Sequence, residues 1–186
     1  ENNLALAIEE IRKKSPKINL NALRISKTPF GQSLRVLFHI LSVDSKIPIF
    51  KLSLGGFDTH IGQVKRHQRL MKELNKGLFS LEAGLKKMNL WDKTLILTYS
   101  EFGRRPYENA SMGTDHGTAN VHFATGGKVK GGLYGKRPSL TSLVNGNLNY
   151  HVDFKSVYAS ILEDWWHIKE REKIIANSFK KVQFFK

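Results

Sequence analysis

The sequence predicts an α/β chain with a mostly parallel sheet flanked by helices. Three observations predict it. Ile49–Leu54 and Thr94–Tyr99 are short runs rich in β-prone residues. Residues 61–88 between them carry apolar side chains at helical spacing over a length no ordinary strand reaches. Finally, the second β-prone run lacks alternation, the pattern of a strand buried on both faces in a parallel sheet. A strand, a helix and a strand in succession form a β-α-β unit.

The elements follow in chain order. Residues 3–14 predict a helix, with Leu4, Ile8 and Ile11 on one face, and Ser15-Pro16 ends it. Residues 17–31 contain Pro29 and Gly31 and read mostly as loop. Residues 32–43 resume a helix through Leu34, Leu37, Phe38 and Leu41. Pro48 opens the first strand and Gly55-Gly56 stops it. The long helix follows through Ile61, Val64, Gln68, Met71, Leu74, Leu78, Leu81, Leu85 and Met88, with Asp58 or Thr59 expected to cap it. Residues 89–93 read as a turn, and residues 104–118 as a polar, glycine-bearing site loop. Val121–Thr125 predicts another strand, and Gly126 to Gly135 a hairpin-like region. Residues 153–167 predict a helix with Phe154, Val157, Ile161, Leu162 and Trp165 as its stripe, before a basic tail.

Bulk properties bound the function. The 186 residues suit one domain, residues 1–186, and no apolar run approaches the length of a bilayer-spanning helix. With no cysteine, disulfides, zinc–thiolate sites and cysteine nucleophiles are excluded. The net charge of +14 fits an anionic partner or a solvated lysine-rich surface. The lysines are spread along the chain and favour the second reading, and no motif specific to nucleic acid accompanies them. The chain opens with Glu1, not Met, and no export signal is visible, so the expectation is a piece of a longer protein.

The chemistry concentrates in three clusters: Gly55-Gly56-Phe57-Asp58-Thr59-His60, Ser100-Glu101-Phe102-Gly103-Arg104-Arg105 and Gly113-Thr114-Asp115-His116-Gly117. Carboxylates and imidazoles are ligands for hard or borderline divalent metals. Asp58 and His60 stand two residues apart, where both can turn to one point; the alternative is a helix cap beside a surface imidazole. Asp115-His116 between glycines offers oxygen and nitrogen donors together, or is a polar turn. Glu101 is either a ligand or the ion-pair partner of Arg104 or Arg105. Those arginines suit a phosphate or sulfate, or pair with Glu101 or Glu108. His39 and His67 fall in helices and read as structural, His122 and His151 as further ligand candidates, and His167 as packing beside Trp165-Trp166. In open α/β sheets ligands bind beyond the strands' carboxyl ends. A right-handed crossover would therefore collect Asp58, His60 and Glu101 on one sheet edge.

These clusters, with Gln63, Glu108-Asn109, Gly131-Gly132-Leu133-Tyr134-Gly135 and Asp153-Phe154-Lys155-Ser156-Val157-Tyr158-Ala159, resemble a bacterial family known as domain of unknown function 1501. The resemblance covers about residues 30–168. The family is similar to the sulfatase and alkaline-phosphatase superfamily, which implies the C-terminal part of an alkaline-phosphatase-like fold. It implies a divalent metal (zinc, calcium or manganese) held by Asp58, His60, Glu101, Asp115 and His116. Arg104 and Arg105 would then stabilise the anionic transition state of a phosphate or sulfate ester. Two placements of the superfamily's Asp-His-Gly are open: Glu101 after its strand, which sets Phe102 where a metal-binding His is expected, or the literal Asp115-His116-Gly117. The resemblance also implies export to the periplasm and a nucleophile upstream of this chain. The alternative function is a non-catalytic binding module for an anionic glycan or phosphorylated polymer.

Overall fold

The computed structural model describes residues 19–44 and 46–186. The expected helix over 3–14 lies outside the described residues. The chain divides into two units, one ending at Thr94 and one beginning at Leu95.

The first unit is helical. Asn19 caps a short 3-10 turn, Leu20–Leu23, by accepting from the Asn21 amide. Helix α1, Pro29–Val43, starts earlier than its apolar pattern suggests. Thr28 caps it by accepting from the Gly31 amide, and Pro29 occupies a first-turn position where its missing N–H costs nothing. Helix α2 spans Gln63–Lys87, close to expectation. Its cap differs. Gly62, in the left-handed region at φ 53°, precedes the helix with no side-chain cap, and Thr59 instead turns inward, fully buried. The apolar stripe is only half used: Ile61 and Val64 are 65% and 68% exposed. The buried face runs through Gly77, Ser80, Leu81, Gly84 and Leu85. Its two glycines are sockets: a Cβ on Gly77 would lie 2.3 Å from the Phe30 ring, and one on Gly84 2.3 Å from the Phe38 ring. Two aromatic side chains of α1 thus seat in two gaps of α2, with Leu23 and Leu34 completing the core.

The second unit carries the strands. β1, Ile96–Leu97, pairs antiparallel with β4, Ala124–Thr125. β2, Gly103–Glu108, pairs antiparallel with β3, Thr114–Gly117. Helix α3, Phe154–Ser160, is capped by Asp153 and runs directly into a π-helical turn, Ile161–Trp165. The basic tail is folded onto this turn. Arg171 is buried, bonded to Glu163 and to the Phe179 carbonyl at 3.0 Å. Lys181 bridges Glu163 and Asp164 at 3.0 and 2.6 Å. Buried Ser160 accepts from the Val182 amide at 2.8 Å. Phe184 is buried, and Phe185 bridges Val129 while stacking on Trp165 at 5.7 Å. The glycine-bearing stretch 126–135 therefore docks against the tail and does not form the hairpin its composition suggests.

The parallel sheet expected from the sequence is absent: among the described residues both sheets are two-stranded and antiparallel. Residues 49–54 are extended but join no ladder, and their side chains alternate between exposed and half-buried. In the 94–99 run only Ile96 and Leu97 pair, and residues 94–98 are half-buried where two-sided burial was expected. With no parallel sheet, the shared strand edge that was to collect Asp58, His60 and Glu101 does not exist. β propensity identified an extended backbone but not its partner, because pairing is a long-range property. No helix among the described residues is long and apolar enough to cross a membrane.

Candidate functional site

Each unit carries part of the candidate chemistry, built in a different way. In the first unit, residues 57–60 are held by a tight turn. Thr59 is buried, its amide and hydroxyl bonding the Phe57 carbonyl at 2.9 and 3.3 Å, which closes a three-residue turn at Asp58. Asp58 and His60, on either side of the buried Thr59, are both exposed. His60 Nε2 lies 3.0 Å from Asp58 Oδ1, and both side chains are largely exposed, at 44% and 63%. The segment is pinned to α2 by the Phe57 ring, edge-on to His67 at 5.6 Å. His67 has the structural role its helical position suggested.

In the second unit, the residues read as a site loop form the β2–β3 hairpin. Asn109 shapes its turn: its side-chain oxygen accepts the amides of Ser111 and Gly113 at 3.0 Å each. Gly103 faces Gly117 and Arg104 faces His116 across the ladder. The glycines are required by the close approach. A Cβ on Gly103 would fall 1.8 Å from the Ala119 carbonyl oxygen, and one on Gly117 2.6 Å from the Arg104 carbonyl carbon. Glycine beside His116 was legible as a device for close backbone approach, and the structure uses it so.

Phe102 stacks on His116, with ring centroids 3.8 Å apart and planes 7° from parallel. The Arg104 guanidinium lies 5.0 Å above the Phe102 ring and donates to the Thr114 carbonyl at 2.5 Å. Arginine, phenylalanine and histidine thus form one ordered stack with the imidazole exposed. The two arginines are not equivalent. Neighbours on a strand point to opposite faces, so Arg105 leaves the His116 face, and its guanidinium lies beside Gly146. For the same reason Asp115 and His116 address opposite faces of the hairpin. Glu101 sits on the exposed bend before β2. His122 precedes β4; desolvation lowers its pKa from 6.5, opposed by its hydrogen bond to the Thr98 backbone.

The hairpin therefore brings Arg104, Phe102 and His116 together and sends Arg105 and Asp115 elsewhere. Phe102, read from the sequence as standing where a metal-binding histidine is expected, is the member whose stacking role was not foreseen. Its signal was its place two residues before Arg104, which puts both on one face, but the stack needs the register to be known.

Together these features define a chain of helices and short antiparallel hairpins that carries an exposed carboxylate–imidazole pair in one unit and an arginine–aromatic–imidazole stack in the other. The family model for a protein of unknown function (DUF1501) matches residues 9–166, and the chain belongs to that family. No curated protein and no solved structure matches the chain.

Proposed function

We propose that this chain is a sulfatase- or phosphatase-like, metal-dependent ester hydrolase domain in which Asp58 and His60 supply the first oxygen and nitrogen ligands. The single observation that carries this is the Asp58–His60 pair, with donor atoms 3.0 Å apart on an exposed surface. A divalent ion bonded to both at about 2.0–2.2 Å would need a separation close to that. The donor set suits zinc, manganese or calcium, and the bound ion would supply Lewis acidity toward an ester oxygen. Within the second unit, taken by itself, Arg104 is the proposed contact for a phosphate or sulfate. Its guanidinium is restrained by the Thr114 carbonyl and the Phe102 face, which lowers the ordering cost of binding an anion.

The test is metal binding by calorimetry with zinc, manganese and calcium, on the intact chain and on Asp58→Ala and His60→Ala. Phosphate and sulfate binding is then titrated with metal present. Saturable metal binding that both variants lose, and oxyanion binding that Arg104→Ala weakens, is the expected result. Equal metal affinity in Asp58→Ala and the parent refutes the assignment. A second reading, a non-catalytic module for an anionic glycan or phosphorylated polymer, is favoured by Phe102. It occupies the position where the superfamily resemblance expects a metal-binding histidine, and it stacks on His116 instead. Strongly salt-dependent polymer binding that is indifferent to chelator would select that reading.

A further inference from the structure

The first unit holds a concavity that shares no residue with the candidate site. It encloses about 450 Å³ and is lined by Arg24, Ser26, Asn75, Lys76, Phe79 and Ser80. That volume falls within the range of about 300–1,000 Å³ typical of small-molecule sites. Its lining includes two cationic residues, Arg24 and Lys76, and one aromatic, Phe79. Arg24 ends the 3-10 turn at φ 51°, a left-handed conformation uncommon for a residue with a side chain. A glycine would adopt it without strain, yet the chain keeps a guanidinium at the rim. Asn75, Lys76 and Phe79 are on one exposed face of α2, since residues three and four apart are neighbours on a helix. Phe79 is 63% exposed, unusual for a ring this large.

The floor is rigid. The buried Ser80 hydroxyl is within hydrogen-bonding distance of the Leu23 and Lys76 carbonyl oxygens, at 3.0 and 2.9 Å, which ties the 3-10 turn to α2. Glu73 is engaged by the hydroxyls of Thr28 and of the lining residue Ser26 and does not itself line the cavity. Among the described residues, Arg24 and Lys76 are the charged groups that line it.

We propose that this cavity binds a small organic anion, a phosphate monoester that carries a planar ring. The dianion sits between Arg24 and Lys76, a planar fork and a mobile point charge, both suited to phosphate. The ring lies on the exposed face of Phe79, and the Asn75 amide offers a donor and an acceptor to its polar edge. An inorganic oxyanion would leave most of the volume and the aromatic face unused.

The test is calorimetric titration of the full chain with adenosine monophosphate, adenosine and inorganic phosphate. The monophosphate binds more tightly than either part. Lys76→Ala and Arg24→Gly each weaken it about tenfold or more, the usual loss for a charge-assisted hydrogen bond. Arg24→Gly is the decisive variant, because glycine suits φ 51° and the fold is kept while the charge goes. Phe79→Ala weakens the monophosphate and leaves phosphate affinity unchanged. With chelator present throughout, so that the proposed metal pair takes no part, Asp58→Ala leaves monophosphate binding intact, and the two sites fail separately. Adenosine binding as tightly as its monophosphate, an unchanged affinity in Arg24→Gly, or no saturable binding at millimolar monophosphate would each overturn the proposal.

Discussion

Gly103→Ala is the sharpest perturbation of the candidate site, because it adds one methyl group at a known place. The new Cβ would lie 1.8 Å from the Ala119 carbonyl oxygen, 2.5 Å from its carbon and 2.9 Å from its nitrogen. The obstacle is backbone, so no side-chain rotation relieves it, and the hairpin must separate from residue 119 by more than an ångström. Overpacking costs about 1–3 kcal/mol, and an unyielding neighbour places this variant near the upper end, roughly a hundredfold in the folding equilibrium. Gly117→Ala meets backbone atoms of Arg104 and Arg105 at 2.6–2.8 Å and loses less, about 2 kcal/mol. Gly131→Ala meets nothing within 4 Å and serves as the control, within about 0.5 kcal/mol of the parent. Urea unfolding followed by amide resonances of residues 95–186 gives the stabilities. A second readout comes from the His116 ring protons, which Phe102 shifts strongly upfield from a centroid distance of 3.8 Å. Gly103→Ala should reduce that shift, because residue 103, which adjoins Phe102 and pairs with Gly117 beside His116, must move away from Ala119. A Gly103→Ala variant within 0.5 kcal/mol of the parent, with the His116 shift intact, would refute the reasoning.

Gly84→Ala sets a helix-propensity gain of about 1 kcal/mol against a Cβ placed 2.3 Å from the fully buried Phe38 ring, so a net loss of about 1 kcal/mol is expected; Phe38→Leu in the same chain should be milder than the two single losses added, which a double-mutant cycle measures. Ser160→Ala removes the acceptor for the Val182 amide and should cost about 1–3 kcal/mol and raise hydrogen exchange across residues 180–186. Partial desolvation lowers the His122 pKa in the folded chain although the residue reaches the surface, so the unfolded chain binds the extra proton more readily. Stability should fall as pH drops through 6.5 and below, and His122→Gln should flatten that slope in denaturation at stepped pH; an unchanged slope would remove His122 as its source.

What the sequence disclosed and what it withheld divide along the range of the interactions concerned. Helix α2 was legible because helical hydrogen bonds close within four residues, and its period is written into Met71, Leu74, Leu78, Leu81 and Leu85. Gly117, beside His116, was legible as a place of close approach, since only backbone without a Cβ allows it; the tighter approach at Gly103 was not. The parallel sheet was misread because the β-prone runs at 49–54 and 94–99 specify extension and not a partner; one joined no ladder and the other paired antiparallel with Ala124–Thr125. The inward face of α2 was misread for another reason. A stripe drawn through its largest apolar residues passes Gly77 and Gly84, yet those gaps are where Phe30 and Phe38 seat, so burial follows complementarity of shape as well as hydrophobicity. The same distinction governs the site. Asp58 and His60 could be paired on paper, since they stand two residues apart and a contact at that spacing is local. Phe102, Arg104 and His116 could not, since their stack exists only in the register that sets Arg104 opposite His116. That register turns a phenylalanine that reads as a missing ligand into the surface that holds an arginine and an imidazole in order, and it makes Phe102 as informative a residue to mutate as either of them.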